Sequence, residues 1–386
     1  MNRTVIAGYV RTPFAFARKG PFHATRPDDL AAVALAELVR RSGIDPHLIE
    51  DVLMGCAYPE GAQGDNVARI ASLLAGLPVQ IGAATVNRFC GSSMYAIHMA
   101  AGQIAIGAGE AFIAAGVESM TMVPQGGLSA SPNPRFASRE HPDADIPTQA
   151  YTPMGITAEN VAARWAISRE QQDAFAVESQ RKASRAQAEG RLDDELVPVI
   201  TPDGTVVDRD LCLRPQTSLE GLAALKPAFG ESGTVTAGTA SPLTDGAVAV
   251  LVTSEAFARQ HGLDMLARVR STAIAGLEPE IMGMGPVHAT RKALARAGLR
   301  IEDMDVIEIN EAFASQAIAC MRELGIHPDR TNIDGGAISL GHPLGATGAR
   351  ITAKAATLLR RVNGRYALAT QCIGGGQGIA TVLEAL

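Results

Sequence analysis

Cys90 is the residue whose type and position best suit nucleophilic chemistry, and it lies in the sequence VNRFCGSS at 86–93. Residues 83–86 are typical of a strand. The apolar side chains after the cysteine recur at three- and four-residue spacing, which predicts a helix with one buried face: Met94, Ile97, Ala101 and Ile104. The thiol is therefore expected at a strand-to-helix turn, where the positive end of the helix dipole favours the thiolate. Most free cysteines are small buried apolar side chains, so Cys90 alone does not establish catalysis.

Two later glycine-rich segments carry the other side chains suited to chemistry. The first is NIDGGAISLGHPLGATG at 332–348, and the second is CIGGGQG at 372–378. Their glycines permit tight turns and a close approach of backbone N–H groups to a ligand or an oxyanion. Pro343 restricts His342 to extended backbone, so the imidazole is expected to project from a loop. Neither segment has the glycine spacing of a nucleotide phosphate loop. The joint presence of Cys90, His342 and Cys372 in such surroundings favours a catalytic role for these residues over separate structural roles.

The composition is that of a packed α/β protein. Of 386 residues, 47% are hydrophobic, only 4% are aromatic and 39 are glycine, which is typical of folded α/β structure with many turns and leaves room for two or three domains. The net charge of −6 shows no basic excess, so no nucleic-acid partner is expected. The scattered cysteines predict reduced thiols in a cytoplasmic protein, without a metal site or a disulfide framework: Cys56, Cys90, Cys212, Cys320 and Cys372.

Targeting and membrane segments are not expected. Residues 1–7 enter a predicted strand at once, which leaves no room for a signal or transit peptide. No apolar run approaches the roughly 18 residues of a membrane-spanning helix without charged or glycine interruptions.

A weak internal repeat predicts two related halves. A helix ending at Gly43 is followed by the strand 51–55, and a second helix ending at Gly298 is followed by the strand 305–309. Residues 112–116 also resemble 367–371 near the end of the other half. Two βαβ-type halves imply two sheets that contain parallel strands and carry helices on their faces. The alternative is a chance similarity between two α/β units.

The region between the halves has a different character. Residues 119–150 are rich in Pro, Ser, Gly and Asn and predict a long loop, and 200–240 again has turn signals. Between them, Ser168 and Gln171 form the capping-box pattern of a helix that ends before Gly190. The predicted division is a first half of 1–118 plus 242–264, an inserted loop domain of 119–241 and a second half of 265–386.

Six motifs in order resemble those of the thiolase family. They are NRxCGSS at the first cysteine, PMGITAENVA (153–162), GTVTAGxAS (233–241), NEAF (310–313), GHPxG (341–345) and CIGGGxG (372–378). The resemblance covers the chain from Val5 to its end. It implies an α/β fold of two duplicated halves packed as a five-layer αβαβα sandwich, with the inserted loop domain over a coenzyme A site.

The resemblance also implies catalytic roles. Cys90 is expected to be the acylated nucleophile, and His342 to accept its proton and help to hold the thioester oxygen. Cys372 is expected to be the acid and base that serves the acetyl-CoA carbanion and the incoming coenzyme A. Asn310 would orient a water that completes one oxyanion hole with His342, and the N–H groups of Cys90 and Gly374 would form the other.

Coenzyme A is expected as a co-substrate, with no tightly bound cofactor. Ser241 matches the family position near the pantetheine, and further coenzyme contacts are implied at five other side chains: Arg214, Phe229, Met154, Met282 and Phe313. Arg214 is chemically suited to a phosphate or adenine, although it could equally be a solvated arginine. The resemblance also implies a homodimer or homotetramer packed through the first half.

The residue type at Pro153 bears on which substrate the resemblance implies. Family members that form acetoacetyl-CoA typically have a histidine at this position, and the proline instead resembles enzymes that degrade 3-ketoacyl-CoA in fatty-acid β-oxidation. Three alternatives stay open at this point. They are an acetyl-CoA acetyltransferase, a condensing enzyme for carrier-protein thioesters, which would typically have a histidine in place of Cys372, and a non-catalytic lipid-binding relative.

Overall fold

The computed structural model describes residues 3–136 and 150–386. The strands in these ranges are β1 (Thr4–Arg11), β2 (Ala15–Phe16), β3 (Asp51–Gly55), β4 (Gly82–Val86), β5 (Ala111–Ser119), β6 (Val199–Ile200), β7 (Val206–Val207), β8 (Thr244–Ser254), β9 (Ala267–Gly276), β10 (Val306–Ile309), β11 (Tyr366–Ile373) and β12 (Gln377–Glu384). The α-helices are α1 (Pro27–Ser42), α2 (Val67–Leu74), α3 (Ser92–Ile106), α4 (Met154–Arg164), α5 (Arg169–Ala188), α6 (Leu219–Ala223), α7 (Glu255–Gln260), α8 (Gly285–Ala297), α9 (Ala314–Leu324), α10 (Ala337–Leu340) and α11 (Leu344–Arg361). Short 3₁₀ helices connect several of them.

The predicted repeat is confirmed as two halves with the same element order. The first half runs β1-α1-β3-α3-β5-β8, and the second runs β9-α8-β10-α11-β11-β12. Gly43 and Gly298 end α1 and α8 in the left-handed region, with φ of 68° and 69°. A side chain is disfavoured at such a φ, which explains the glycine at the same point of both halves.

The strands follow the same pairing pattern in each half. In the first half the order is β4-β3-β5-β8-β1, and in the second it is β10-β11-β12-β9. The β3–β4, β3–β5 and β10–β11 pairs are parallel, and the others are antiparallel. The sequence predicts two separate sheets. A two-residue ladder between β1 and β9 instead joins the halves into one continuous hydrogen-bonded sheet.

Five layers follow from the packing of the cores. Helices α1 and α2 cover the outer face of the first-half strands. Helices α3 and α11 lie between the strands of the two halves and share one apolar core with both. Helices α8 and α9 cover the outer face of the second half. The α/β, five-layer αβαβα architecture expected from the resemblance is confirmed.

Glycines permit backbone contact where the two middle-layer helices begin. A Cβ on Gly348 of α11 would lie 2.5 Å from the backbone nitrogen of Met94 in α3. A Cβ on Gly345 would lie 2.5 Å from the carbonyl oxygen of Val117 and 2.7 Å from that of Gly55. The first turns of α11 therefore lie directly against α3, β3 and β5, and the two helix N-termini come together.

The inserted region agrees with the sequence expectation in part. Helix α5 begins after the Ser168–Gln171 capping box as predicted. The stretch 200–240, predicted as loop and turn, also contains the short elements β7 and α6. Of the predicted loop 119–150, residues 137–149 lie outside the described residues. Strand β8 returns the chain to the first half between β1 and β5. The limits of the loop domain stay a prediction.

None of the helices in the described ranges combines the length and the apolar character that a membrane-spanning helix needs.

The middle-layer contact predicts opposite effects for two alanine substitutions at helical glycines. Gly348→Ala should lower the free energy of unfolding by about 1–3 kcal/mol, because its methyl group overlaps Met94. Gly102→Ala in α3 is the matched control, since its Cβ would meet nothing within 4 Å. It should raise stability by about 0.5–1 kcal/mol, because alanine is the better helix former. Denaturant unfolding measures both, and a stabilised Gly348→Ala protein would contradict the contact.

Candidate active site

The turn that carries Cys90 is held by its own hydrogen bonds. Strand β4 ends at Val86 and α3 begins at Ser92, so the predicted strand-to-helix turn is confirmed. The Ser92 hydroxyl donates to the Phe89 carbonyl oxygen at 2.6 Å and accepts from the Arg88 N–H at 2.8 Å. Phe89 has a φ of 43°, which is uncommon for a residue with a side chain and strains the turn. The sulfur therefore lies at a constrained helix start.

Burial dominates the electrostatics of Cys90. It raises the pKa of the thiol to about 12, the nearby Glu118 carboxylate acts in the same direction, and the Gly374 N–H opposes the rise. The expectation of a thiolate at the helix N-terminus is therefore wrong for the free protein. A helix terminus contributes at most about 2 kcal/mol to a charge, and desolvation outweighs it here. Attack by this sulfur requires a base.

His342 is held in one tautomer by its neighbours. It lies between α10 and α11, as the sequence predicts, and only 4% of it is exposed. Its Nδ1 lies 2.7 Å from the Thr347 hydroxyl, which itself donates to the Pro343 carbonyl oxygen at 2.9 Å. The hydroxyl hydrogen is thereby used, so Nδ1 must carry the proton and donate it to Thr347. Nε2 is therefore unprotonated, and its lone pair, which accepts from the Asn310 amide at 3.3 Å, can take a proton.

The charge state of His342 agrees with that role. Burial, together with the positive charge of Arg350, lowers the pKa of the imidazole to about 3. The ring is therefore neutral near pH 7 and can accept a proton. Asn310, at the end of β10, approaches Nε2 through its Nδ2 at 3.3 Å. The buried Oδ1 of Asn310 finds no partner among the described residues, so it can accept from a water.

Cys372 and Gly374 lie at the end of β11, opposite the Cys90 turn. Cys372 is 1% exposed, and burial together with the proximity of Cys90 raises the pKa of its thiol. The Gly374 N–H is a hydrogen-bond donor to the Cys90 sulfur. Gly375 and Gly376 follow with φ of 77° and 80°, which allows the tight turn into β12. The Cys90 and Cys372 thiols and the Gly374 N–H therefore lie close together.

An apolar cluster beside Cys372 contains four of the predicted coenzyme contacts. Met154, Phe229, Met282 and Phe313 pack together with it, and the rings of Phe229 and Phe313 meet edge to face at 6.0 Å. The N–H of Ser241 donates to the carbonyl oxygen of Ala312, next to Phe313, at 3.0 Å. These side chains can form an apolar slot for the arm of a thioester.

Arg214 lies outside that cluster. Its guanidinium reaches the carbonyl oxygens of Ile338 at 3.2 Å and Ala237 at 3.5 Å, and burial lowers the pKa of the group. Nε has no partner among the described residues. A cation bound only to carbonyl oxygens can still bind an anionic group, so the geometry permits a phosphate contact.

Sequence reasoning missed three side chains that shape the site. Thr347 orients the imidazole, the Gln371 amide donates to the Cys90 carbonyl oxygen, and the Thr244 hydroxyl accepts from the His342 N–H at 3.0 Å. Thr347 was detectable in principle, because it lies in the first turn of α11, only five residues after the histidine. The contacts of Gln371 and Thr244 cross between distant segments and leave no local pattern.

The tautomer of His342 gives a direct test. The imidazole should show a protonated Nδ1 and a bare Nε2 in ¹⁵N NMR, with no titration between about pH 5 and pH 8, because burial disfavours the imidazolium. Thr347→Val removes the acceptor of Nδ1–H and should shift the population toward the Nε2–H tautomer.

Thr352→Val is the matched control for this experiment. The Thr352 hydroxyl also donates to a carbonyl oxygen one turn back in α11, that of Gly348, at 2.7 Å, but it does not contact the imidazole. It should leave the His342 signals unchanged. An unchanged spectrum in Thr347→Val as well would refute the orienting role of Thr347.

Comparisons with known proteins agree with this geometry. The family model described as thiolase, N-terminal domain, matches residues 4–256, and that described as thiolase, C-terminal domain, matches residues 263–385. Three similar relatives are each called 3-ketoacyl-CoA thiolase. They come from Shewanella denitrificans (48% identity), Vibrio vulnificus (47%) and Bacillus subtilis (44%), and each alignment covers 100% of both chains. The chain that carries the Cys90 turn, the His342 loop and Cys372 therefore belongs to the thiolase family.

Proposed function

We propose that the chain is a 3-ketoacyl-CoA thiolase, an acyltransferase that cleaves 3-oxoacyl-CoA with coenzyme A to acetyl-CoA and a shortened acyl-CoA. The observation that carries the proposal is that the Cys90 and Cys372 thiols lie close together with the Gly374 N–H, and that His342 is held neutral with its Nε2 against Asn310. The names of the full-length relatives support the same activity. The proposed setting is fatty-acid degradation in the cytoplasm.

The first half-reaction forms an acyl-enzyme. The Cys90 thiol gives its proton to Nε2 of His342, and the sulfur attacks the 3-keto carbon. The N–H groups of Cys90 and Gly374 stabilise the oxyanion that forms there. The C2–C3 bond then breaks, its electron pair passes to C2 of the departing acetyl-CoA, and Cys372 supplies a proton to C2. The imidazolium of His342 and a water on Asn310 stabilise the enolate oxygen.

The second half-reaction transfers the acyl group. The Cys372 thiolate removes the proton of the incoming coenzyme A thiol, and the new thiolate attacks the thioester on Cys90. The Cys90 sulfur leaves as a thiolate and regains a proton from His342. Every proton that leaves a catalytic group in the first half-reaction is returned in the second. Two thiols with raised pKa values suit this cycle, because each is neutral at rest.

The substrate is placed by the apolar cluster and the inserted region. Met154, Phe229, Met282 and Phe313 line the arm of the coenzyme beside Cys372, Ser241 lies near the pantetheine, and Arg214 binds a phosphate at its outer end. Pro153 is the N-cap of α4 and adjoins Met154 in the chain. A proline there leaves space that an imidazole would fill, which favours acyl chains longer than acetoacetyl over the acetoacetyl-CoA-forming alternative.

The activity is tested with coenzyme A and 3-ketoacyl-CoAs of graded chain length. Wild type should cleave them with a preference for chains longer than acetoacetyl, and acyl-CoA alone should leave a covalent adduct at Cys90 in mass spectrometry. Cys90→Ser should abolish turnover and the adduct, because a serine hydroxyl is a far weaker nucleophile without a strong base.

Cys372→Ser separates the two thiols in this assay. It should stop turnover while iodoacetamide still alkylates Cys90, since the proposed role of Cys372 is proton transfer. An adduct found only at Cys372 in wild type would overturn the assignment, and failure to cleave any 3-ketoacyl-CoA would overturn the function.

We also propose that two copies pair through the first half, as the resemblance implies. Strand β4 is an edge strand whose only ladder in the described ranges is with β3. Large apolar side chains lie exposed beside it on α2 and the following turn: Ile70, Leu73, Leu74 and Val79, of which Val79 is 66% exposed. An open strand edge next to an apolar surface is a common protein interface.

Light scattering tests this pairing. The wild-type mass should be at least twice the 40.2 kDa of one chain. Leu74→Glu should weaken association, because it places a charge in the apolar surface. Ile200→Glu is the control, as Ile200 is 71% exposed but lies in β6 of the inserted region. A monomeric, active wild type would contradict the proposal.

A further inference from the structure

Glu118 is a fully buried carboxylate that the catalytic cycle above does not use. It lies near the end of β5 and is 0% exposed. Oε2 accepts from the N–H groups of Ala57 and Gly345, each at 2.8 Å. Oε1 accepts from the Gln63 side-chain amide at 2.9 Å and from the Tyr58 N–H at 3.3 Å. The Cys56 thiol, with its sulfur 3.8 Å from Oε1, is a fifth donor, so this one carboxylate is surrounded by donors.

These donors come from both halves of the molecule. Ala57, Tyr58 and Gln63 follow β3 in the first half, whereas Gly345 is in the first turn of α11 in the second half. The N-cap of α11 offers no side-chain hydrogen bond of its own. Glu118 therefore caps this helix from the other half, where a negative charge also meets the positive end of the helix dipole.

The same carboxylate lies beside the Cys90 sulfur. An apolar cluster around it contains Ala57, Met120 and Leu344, and Cys90 packs against that cluster. The charge of Glu118 contributes to the raised pKa of the Cys90 thiol. Glu118 thus contacts Ala57, which shares an apolar cluster with Cys90, and Gly345 at the start of the helix that follows His342.

We infer that Glu118 is a positioning residue that sets the distance and orientation of His342 relative to Cys90 by holding the two halves together at this point. The inference rests on the proposed thiolase function. The N–H of Gly345 is three residues from His342, so a displaced first turn of α11 moves the imidazole as well. The proposed cycle routes no proton through Glu118, and its effect passes through the backbone.

Glu118→Gln is the sharpest substitution, since it keeps the shape and changes the donor balance. An amide offers one acceptor oxygen and an NH₂ group, so at least one backbone N–H of the two halves faces another donor. A displacement on the order of 1 Å in a reacting geometry costs up to about 100-fold in rate. The rate constant for acylation of Cys90 by acyl-CoA should therefore fall about 10- to 100-fold.

Two further readouts distinguish positioning from a general loss of structure. The KM for 3-ketoacyl-CoA should stay close to that of wild type, because the apolar cluster that binds it is separate. Alkylation of Cys90 by iodoacetamide should slow together with acylation, because both need His342 to accept the thiol proton. Local unfolding would instead raise KM and expose the thiol to faster alkylation.

Asp210→Asn is the matched control. Asp210 is 2% exposed and accepts from the Arg11 guanidinium twice at 2.7 Å and from the Phe14 N–H at 2.8 Å, and neither partner has a role in the proposed cycle. Its substitution should lower Tm and leave the acylation rate constant unchanged. Loss of acylation in both variants to the same extent would overturn the inference, as would a folded Glu118→Gln protein that acylates at the wild-type rate.

A variant on the donor side covers the case in which Glu118→Gln does not fold. Gln63→Leu removes one donor from the first-half side and should reduce the acylation rate constant less steeply at unchanged KM, and a wild-type rate there refutes the inference. Absence of any adduct on wild-type Cys90 would instead refute the proposed function, and the inference with it.

Discussion

Backbone contact between the first turns of α3 and α11 governs the geometry of the site. Gly348 lies against Met94, and the Ser93 hydroxyl accepts from the Ala349 N–H at 2.9 Å, so the two helices are joined at their N-terminal ends. These helices occupy equivalent places in the two halves. The duplication thus brings the starts of two equivalent helices together, and one start carries Cys90 while the other carries the loop of His342.

Burial sets the resting state of the reactive groups. The same desolvation that raises the pKa of the Cys90 thiol lowers that of the His342 imidazole, so both are neutral before substrate binds. A thiolate and an imidazolium formed together attract each other strongly in such surroundings, which offsets part of the cost. In the proposed cycle, the Gly374 N–H and a water on Asn310 act on charge that develops only during the reaction.

A buried network of charges ties the inserted region to both halves. Arg11 in β1 binds Glu195 at 2.8 Å and Asp210 at 2.7 Å, both from the inserted region. Lys354 in α11 binds the same Glu195 at 3.0 Å and Asp334 at 2.9 Å. Breaking one member of a buried pair leaves an uncompensated charge, so the network specifies how the three parts are arranged.

The sequence by itself determined the local elements and the chemical inventory. Glycines at helix ends and the spacing of apolar residues predicted the repeated helix–strand units and the turn at Cys90. The motifs identified the family, and the family in turn implied the five-layer architecture. Such features are local, because they depend on residues that are only a few positions apart in the sequence. Residue types and surroundings also led to the prediction that Cys90, His342 and Cys372 act as a reactive set, and this stays a prediction.

Only the tertiary structure decided how these groups act on one another. Local pattern could not predict the ladder between β1 and β9, the tautomer imposed by Thr347 or the five donors on Glu118. Glu118 and Gly345 are 227 positions apart, and no periodicity connects them. The protonation of Cys90 likewise depends on how much water its neighbours exclude. Desolvation is a property of all surrounding segments together, so it exists only once the chain is packed.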